Sequence, residues 1–187
     1  MTDKTRTPAG PAFAALMACC LLALTQSSRV PAADRVRLNS DMLINLSGQR
    51  PAVELVDEQD LAGDPRTGDA SQPKTLYSNG WLNAKLYYPL SIVIDLGAVH
   101  DLTDICWFDG EGHGRLTVDS READAWKSLC VDELNEYRRW SSRKAVVSTR
   151  YLRLTFENPS AQMGEIAVYG TARGPQAVRP QPIPHRQ

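Results

Sequence analysis

Residues 88–97 read Tyr88-Pro89-Leu90-Ser91-Ile92-Val93-Ile94-Asp95-Leu96-Gly97, a run with the marks of a β-strand. Ile92, Val93 and Ile94 are branched at Cβ, which stiffens χ1 and favours the extended pleat over a helix. Pro89 is tolerated at the start of a strand but not inside one, and Gly97 ends the run. The apolar run is too short for a helix and has the length of a buried strand. The same texture repeats downstream. Leu102–Phe108 (LTDICWF) is a second predicted strand, closed by Asp109-Gly110. Arg115–Val118, Trp126–Val131 and Lys144–Val147 are a third, fourth and fifth. Tyr151–Phe156 (YLRLTF) alternates, with Leu152, Leu154 and Phe156 on one face and Arg153 and Thr155 on the other. Glu165–Tyr169 is the last. Short strands separated by turn residues predict an all-β, antiparallel sandwich or barrel. Glu122–Leu134 is the one stretch of helical length, and its periodicity is poor.

Upstream, residues 51–90 carry Gly, Pro, Asp and Asn at short intervals and read mainly as loops. Residues 34–50 are a polar lead-in around Met42-Leu43-Ile44. Ahead of them, Lys4 and Arg6 precede an unbroken apolar run, Ala12–Leu24. That run is short for a bilayer span and suits the core of an export signal, so residues 1–33 are expected to be a signal peptide cleaved near Val30-Pro31-Ala32-Ala33. The alternative is a short buried helix. Leu16-Met17-Ala18-Cys19 resembles a bacterial lipobox, which would make Cys19 an acylated anchor. The expected location is the periplasm or the cell exterior, either free or lipid-anchored. Residues 171–187 hold four Pro and no apolar pattern, which predicts a disordered tail. The organisation is therefore 1–33 signal, 34–170 one domain, 171–187 tail.

Composition excludes several classes. Hydrophobic residues make up 42% of the 187-residue chain, as in globular proteins, and the formal net charge is -1. No broad basic field advertises nucleic acid, and beyond Leu24 no apolar run is long enough for a transmembrane span. A nucleophile elbow and a phosphate loop are both missing. Gly110-Glu111-Gly112-His113-Gly114 opens no helix, so it reads as a tight strand-to-strand turn and not as a dinucleotide site. His100, His113 and His185 are isolated in sequence. Catalysis is not expected, and a small hydrolase is the least favoured alternative. Of the four Cys, Cys19 and Cys20 lie in the signal. Cys106 and Cys130 remain, and an oxidising compartment favours a disulfide between them. Two buried thiols that never meet are the alternative.

The ordered set of motifs resembles the discoidin-like family, also called coagulation-factor C-type or galactose-binding-like domains. Residues 88–97 are similar to its Pro-x-x-hydrophobic-Asp-Leu-Gly strand. Ile105-Cys106-Trp107-Phe108-Asp109-Gly110 is similar to its strand ending in Asp and Gly, and Trp126 fits its mid-domain Trp. Thr149-Arg150-Tyr151-Leu152-Arg153-Leu154 and Gly164-Glu165-Ile166-Ala167-Val168-Tyr169-Gly170 look like its last two strands. Leu55-Val56-Asp57 is an upstream match. The resemblance implies an antiparallel jelly-roll β-sandwich of about eight strands. It also implies a non-catalytic binding module, with a carbohydrate as the expected ligand: a glycan or a cell-surface polysaccharide. Some family members bind phospholipid or protein, so a protein-interaction or surface-assembly domain on the same fold is the alternative. In this family the closing Glu often helps hold a structural Ca²⁺, which points to Glu165 together with Asp57, Asp60 and Asp64 in the acidic loop. That loop is longer than the family's usual one, and a solvated acidic loop with Asp64-Pro65 as a turn is the plain reading.

Sugars are held by aromatic platforms with a few polar groups that fix orientation. Trp81, Tyr87 and Tyr88 precede one strand, and His113 and Arg115 flank the next turn. These five are the expected ligand-binding residues, an aromatic floor with a polar rim. Core packing is the alternative for each aromatic, and a surface ion pair is the alternative for Arg115. Trp107 and Trp126, on strands, are expected in the core.

Overall fold

Four of the predicted strands merge into two. Leu90–Asp109 forms a single 20-residue strand, and Arg139–Phe156 another of 18 residues. The structure is a computed structural model that describes residues 34–46, 51–77 and 88–174. Its strands are β1 (Arg35–Val36), β2 (Leu43–Asn45), β3 (Leu90–Asp109), β4 (Leu116–Glu122), β5 (Ala125–Asp132), β6 (Arg139–Phe156) and β7 (Met163–Ala172). Both long strands bend. The register between β3 and β6 slips between Asp95 and His100, and again between Leu102 and Asp104. Gly97 sits in the bend at φ 77°, with its N–H donated to the Asp95 carboxylate at 2.9 Å. Only glycine adopts that backbone without strain.

The bends divide the pairings into two antiparallel layers. The first leg of β3 (90–95) pairs with β2 and with the second leg of β6 (151–156), which pairs with β4, and β4 with β5. The second leg of β3 (100–109) lies between β7 and the first leg of β6 (139–149), and β1 pairs with β7. Ile92, Ile94, Leu116, Val118, Leu152, Leu154 and Phe156 of the first layer share one core with Ile105, Trp107, Ile166 and Val168 of the second. The alternation in YLRLTF holds: Leu152 and Leu154 are fully buried. Each such leucine stabilises the fold by roughly 1.5–3 kcal/mol relative to exposure. The expected all-β sandwich is the observed architecture.

The second layer has a core on its outer face as well. Cys106, Phe108, Trp140, Ala167 and Tyr169 pack there against Leu61, Ala70 and Leu76. The loop-rich stretch after residue 51 is long because it covers this face. Within it, Val53–Leu55 and Pro65–Thr67 form short 3-10 turns. Glu122–Leu134 is not a helix: it supplies the end of β4, a two-residue turn at Ala123-Asp124 and all of β5. Thr171 and Ala172 finish β7 opposite Asp101 and His100, so the strand runs past the expected tail boundary. Among the described residues no helix is long and apolar enough to cross a membrane. The signal with Cys19, the residues Trp81 and Tyr87, and the tail from 175 lie outside the described residues.

The expected disulfide is not formed. Cys106 and Cys130 are both free thiols. In the strand order β6 and β4 stand between β3 and β5. The side chains also serve different layers: Cys106 faces the outer core, while Cys130 packs against the inner one. Cys106 donates instead to the Ser142 hydroxyl at 3.4 Å. Burial pushes both thiols up to about 11, which suppresses thiolate chemistry. Alkylation under denaturing, non-reducing conditions followed by peptide mass spectrometry should label both Cys106 and Cys130. A Cys106–Cys130 cross-linked peptide would contradict this arrangement.

Candidate functional site

Three connections cross from one layer to the other at the same end of the sandwich. Residues 110–115 join β3 to β4, 133–138 join β5 to β6, and 157–162 join β6 to β7. The register fixes their common location. Leu90, Phe156, Leu116 and Asp132 stand side by side at the end of one layer, and Asp109 faces Arg139 and Met163 at the end of the other. The glycine run therefore bridges the layers and does not close a hairpin. Close packing of the three loops explains two of its glycines. A Cβ on Gly114 would lie 2.6 Å from the Ala161 Cα, and one on Gly112 would lie 2.8 Å from the Tyr137 Cβ. Both glycines have positive φ, 119° and 70°.

Asp109 ties two of the loops together from below. It is fully buried, with one carboxylate oxygen accepting from the Gly112 N–H at 2.8 Å and the other from the Glu136 N–H at 2.9 Å. Burial raises its pKa, and the backbone donors oppose that rise. Above it Tyr137 is 60% exposed, beside Gly112, with the Arg138 guanidinium 5.9 Å from its ring centre. Large exposed aromatics on a loop end are the usual anchors of binding sites. His113 is exposed on the neighbouring loop. Arg115 forms an ion pair with Glu133 at 3.3 Å, both side chains being more than half exposed. Such a pair contributes only about 0–1 kcal/mol, so a ligand can exchange for either partner at little cost.

Of the five expected ligand residues, Tyr88, His113 and Arg115 come to this one end. Tyr88 is half-buried against the main core, which raises the pKa of its phenol, so it is more a wall than a platform. Trp107 is in the core as expected, fully buried. Trp126 is not: it lies half-exposed on β5 under the Arg153 guanidinium, 4.7 Å from its ring centre. Tyr137 and Glu133 are not among the five expected ligand residues. An aromatic inside the polar run Glu133-Leu134-Asn135-Glu136-Tyr137-Arg138 was the available signal.

The four expected calcium ligands do not gather at one point. Asp60 is engaged by the exposed Arg37. Asp64 caps the Pro65–Thr67 turn through the Arg66 N–H at 2.9 Å, binds the Arg66 guanidinium, and accepts from the Tyr169 hydroxyl at 3.1 Å. Those bonds to Arg66 hold its carboxyl down at about 2. The turn reading of Asp64-Pro65 is the one realised. Asp57 accepts from the Thr75 hydroxyl at 3.1 Å. Glu165 is fully buried on β7, accepting from the Glu58 N–H at 2.8 Å and from the Gln59 amide, with Arg35 at 3.9 Å. Among the described residues no three His, Cys, Asp or Glu side chains are grouped to hold a metal ion.

The family 32 carbohydrate-binding module of NanJ from C. perfringens, in complex with galactose, matches with a TM-score of 0.51 at 13% identity. The match covers 72% of this chain and 97% of that one. The C-terminal domain of a chitobiase from Bacteroides fragilis matches with a TM-score of 0.54 at 16% identity, over 75% of this chain and all of that one. The chain has the β-sandwich fold of these domains. No protein-family model matches it, and no curated protein matches it in sequence. At such identities the likeness is one of fold, and function must be argued from the site. Chemically, the loop end offers one flat aromatic face, an imidazole, and a weakly committed Arg–Glu pair. That set can stack and hydrogen-bond a polar ring.

Proposed function

We propose that this chain is an exported, non-catalytic carbohydrate-binding module whose ligand seats on the loop end around Tyr137, His113 and Arg115. The observation that carries the reading is the exposure of the Tyr137 ring beside Gly112, the residue before His113, on loops clamped by a buried carboxylate. A rigid aromatic with polar neighbours suits a sugar, whose hydroxyls exchange water for protein hydrogen bonds at little net gain while the ring face stacks. The apolar run at Ala12–Leu24 supports export. The likeness of fold to carbohydrate-binding modules agrees with the ligand class. Calcium in this reading narrows to Asp57 and Glu165, since arginines hold Asp60 and Asp64.

Glycan-array screening of the purified chain tests the proposal. Truncating Tyr137 to Ala is expected to weaken retention of the bound glycan by about 2 kcal/mol or roughly thirtyfold, with the melting curve unchanged. His113→Ala should cost less. Full retention by Tyr137→Ala would remove the loop end as the glycan site, and a chain that retains no glycan at all would end the carbohydrate reading.

A further inference from the structure

A second cleft, of about 610 Å³, opens on the outer side of the second layer, lined on one flank by Gly68, Ala70 and Gln72 and on the other by residues 138–143. Its floor is rigid. Trp140 is 8% exposed, meets Phe108 edge-to-face at 5.8 Å and 70°, and donates its indole N–H to the Ser71 carbonyl at 3.1 Å. The Gln72 amide reaches across to the Arg138 carbonyl at 3.4 Å. The cleft is thus built by contacts between segments distant in sequence.

Its charge runs against that of the chain. Arg138, Arg139 and Arg143 line it against one carboxylate, Glu136, whereas the whole chain has a formal net charge of -1. Arg143 is held by the buried Asp132. Arg139 is 76% exposed and reaches Glu136 only at 4.0 Å. Arg138 has no carboxylate partner among the described residues. Its guanidinium lies over the Tyr137 ring, at the border of the loop end. Two guanidinium forks are therefore available at a walled concavity, and the fork geometry matches carboxylate and sulfate oxygens bidentately. Gln72 and Asn135 add amides to the lining.

We infer that this cleft is a second subsite that binds the acidic groups of an anionic polysaccharide, a uronate carboxylate or a sulfate ester, through Arg138 and Arg139. The inference rests on the carbohydrate reading of the neighbouring loop end. It extends that reading from a neutral ring on Tyr137 to an acidic residue further along the same chain of sugars.

Affinity electrophoresis of the purified chain in gels holding polygalacturonate, dextran sulfate or a panel of neutral polysaccharides tests it, with a short DNA duplex as an anion control. Retardation by an acidic polysaccharide should fall at least tenfold in Arg138→Ala/Arg139→Ala and weaken as salt rises, while the melting temperature stays within a degree or two. Polygalacturonate and dextran sulfate separate the carboxylate from the sulfate source. Arg139→Ala alone, which leaves the Tyr137 surroundings intact, should give an intermediate loss. Retention of neutral polysaccharide with no acidic preference, or an acidic preference unaffected by the double variant, overturns this inference and spares the loop-end reading. Retention of neither class overturns both. Equal retardation by DNA, lost in the same variant, reduces the cleft to an unspecific anion surface and also overturns it.

Discussion

Asp109→Ala is expected to destabilise the domain by roughly 2–5 kcal/mol and to abolish glycan retention together. The side chain is fully buried, and its two oxygens satisfy the N–H groups of Gly112 and Glu136, which belong to different loops. Removing it leaves two part-buried donors without that acceptor, each at a cost of up to about 1–3 kcal/mol. A counter-term exists, because burial already disfavours the Asp109 carboxylate. That counter-term outweighs the backbone donors in setting the Asp109 pKa, so the net loss comes from what alanine adds: unpaired amides on two loops and a void. The functional consequence follows from position. The Gly112 loop carries His113, and the Glu136 loop carries Tyr137, so the clamp sets their spacing. Asp109→Asn keeps one good acceptor and should lose less stability than the alanine variant, while still weakening retention. Urea denaturation with retention measured in parallel decides the matter. Equal stability of wild type and Asp109→Ala would show that water or backbone rearrangement satisfies both loops, and the positioning role would be withdrawn.

The strands were legible where the side-chain period is strict, as at Leu152, Leu154 and Phe156. The joining of 91–97 to 102–108 was not, because a bend through Gly97 with a register slip has the same local sequence as a turn. Whether the chain bends or stops there depends on β7 and β6 waiting on either side of the second leg. The cysteines offered a clue that composition hides. Trp107 in the core obliges Cys106, its neighbour on the strand, to face outward, while Cys130 packs inward. Parity alone argues against the bridge that compartment and count favour. The candidate site was half legible. Aromatic and polar residues next to strand ends marked Tyr88, His113 and Arg115. Tyr137, Arg138 and Arg139 became visible only once the 133–138 connection was seen to cross between layers and meet the glycine turn. Asp60 and Asp64 looked like metal ligands because an acidic loop says nothing about which arginines will fold against it.

Raising the pH from 5 to 8.5 is expected to lower the melting temperature, and Glu165→Gln is expected to remove most of that slope. Burial pushes the Glu165 carboxyl from the ordinary 4.5 up to about 8, with Asp57 and Glu58 pushing the same way and the Glu58 N–H and Arg35 opposing. Below 4.5 the group is protonated in both folded and unfolded chains, so its contribution to stability is fully present. Between 4.5 and about 8 the unfolded chain releases the proton and the folded one keeps it, so stability falls as pH rises. Above about 8 both forms are ionised and the loss levels off. The full loss is on the order of 5 kcal/mol. Glutamine keeps a carbonyl to accept from the Glu58 N–H and carries no charge to desolvate, so the variant should be the more stable protein at pH 8.5. Calcium would act in the opposite sense: an ion at Glu165 would favour the carboxylate, so a calcium-bound chain would gain melting temperature at pH 8.5, lose the gain to chelator, and show neither effect in Glu165→Gln. Parallel pH slopes for wild type and Glu165→Gln would show that Glu165 is not the titrating group. A wild-type melting curve indifferent to calcium and chelator, with the slope intact, would leave Glu165 as a buried acid that closes β7 over Arg35 without a metal.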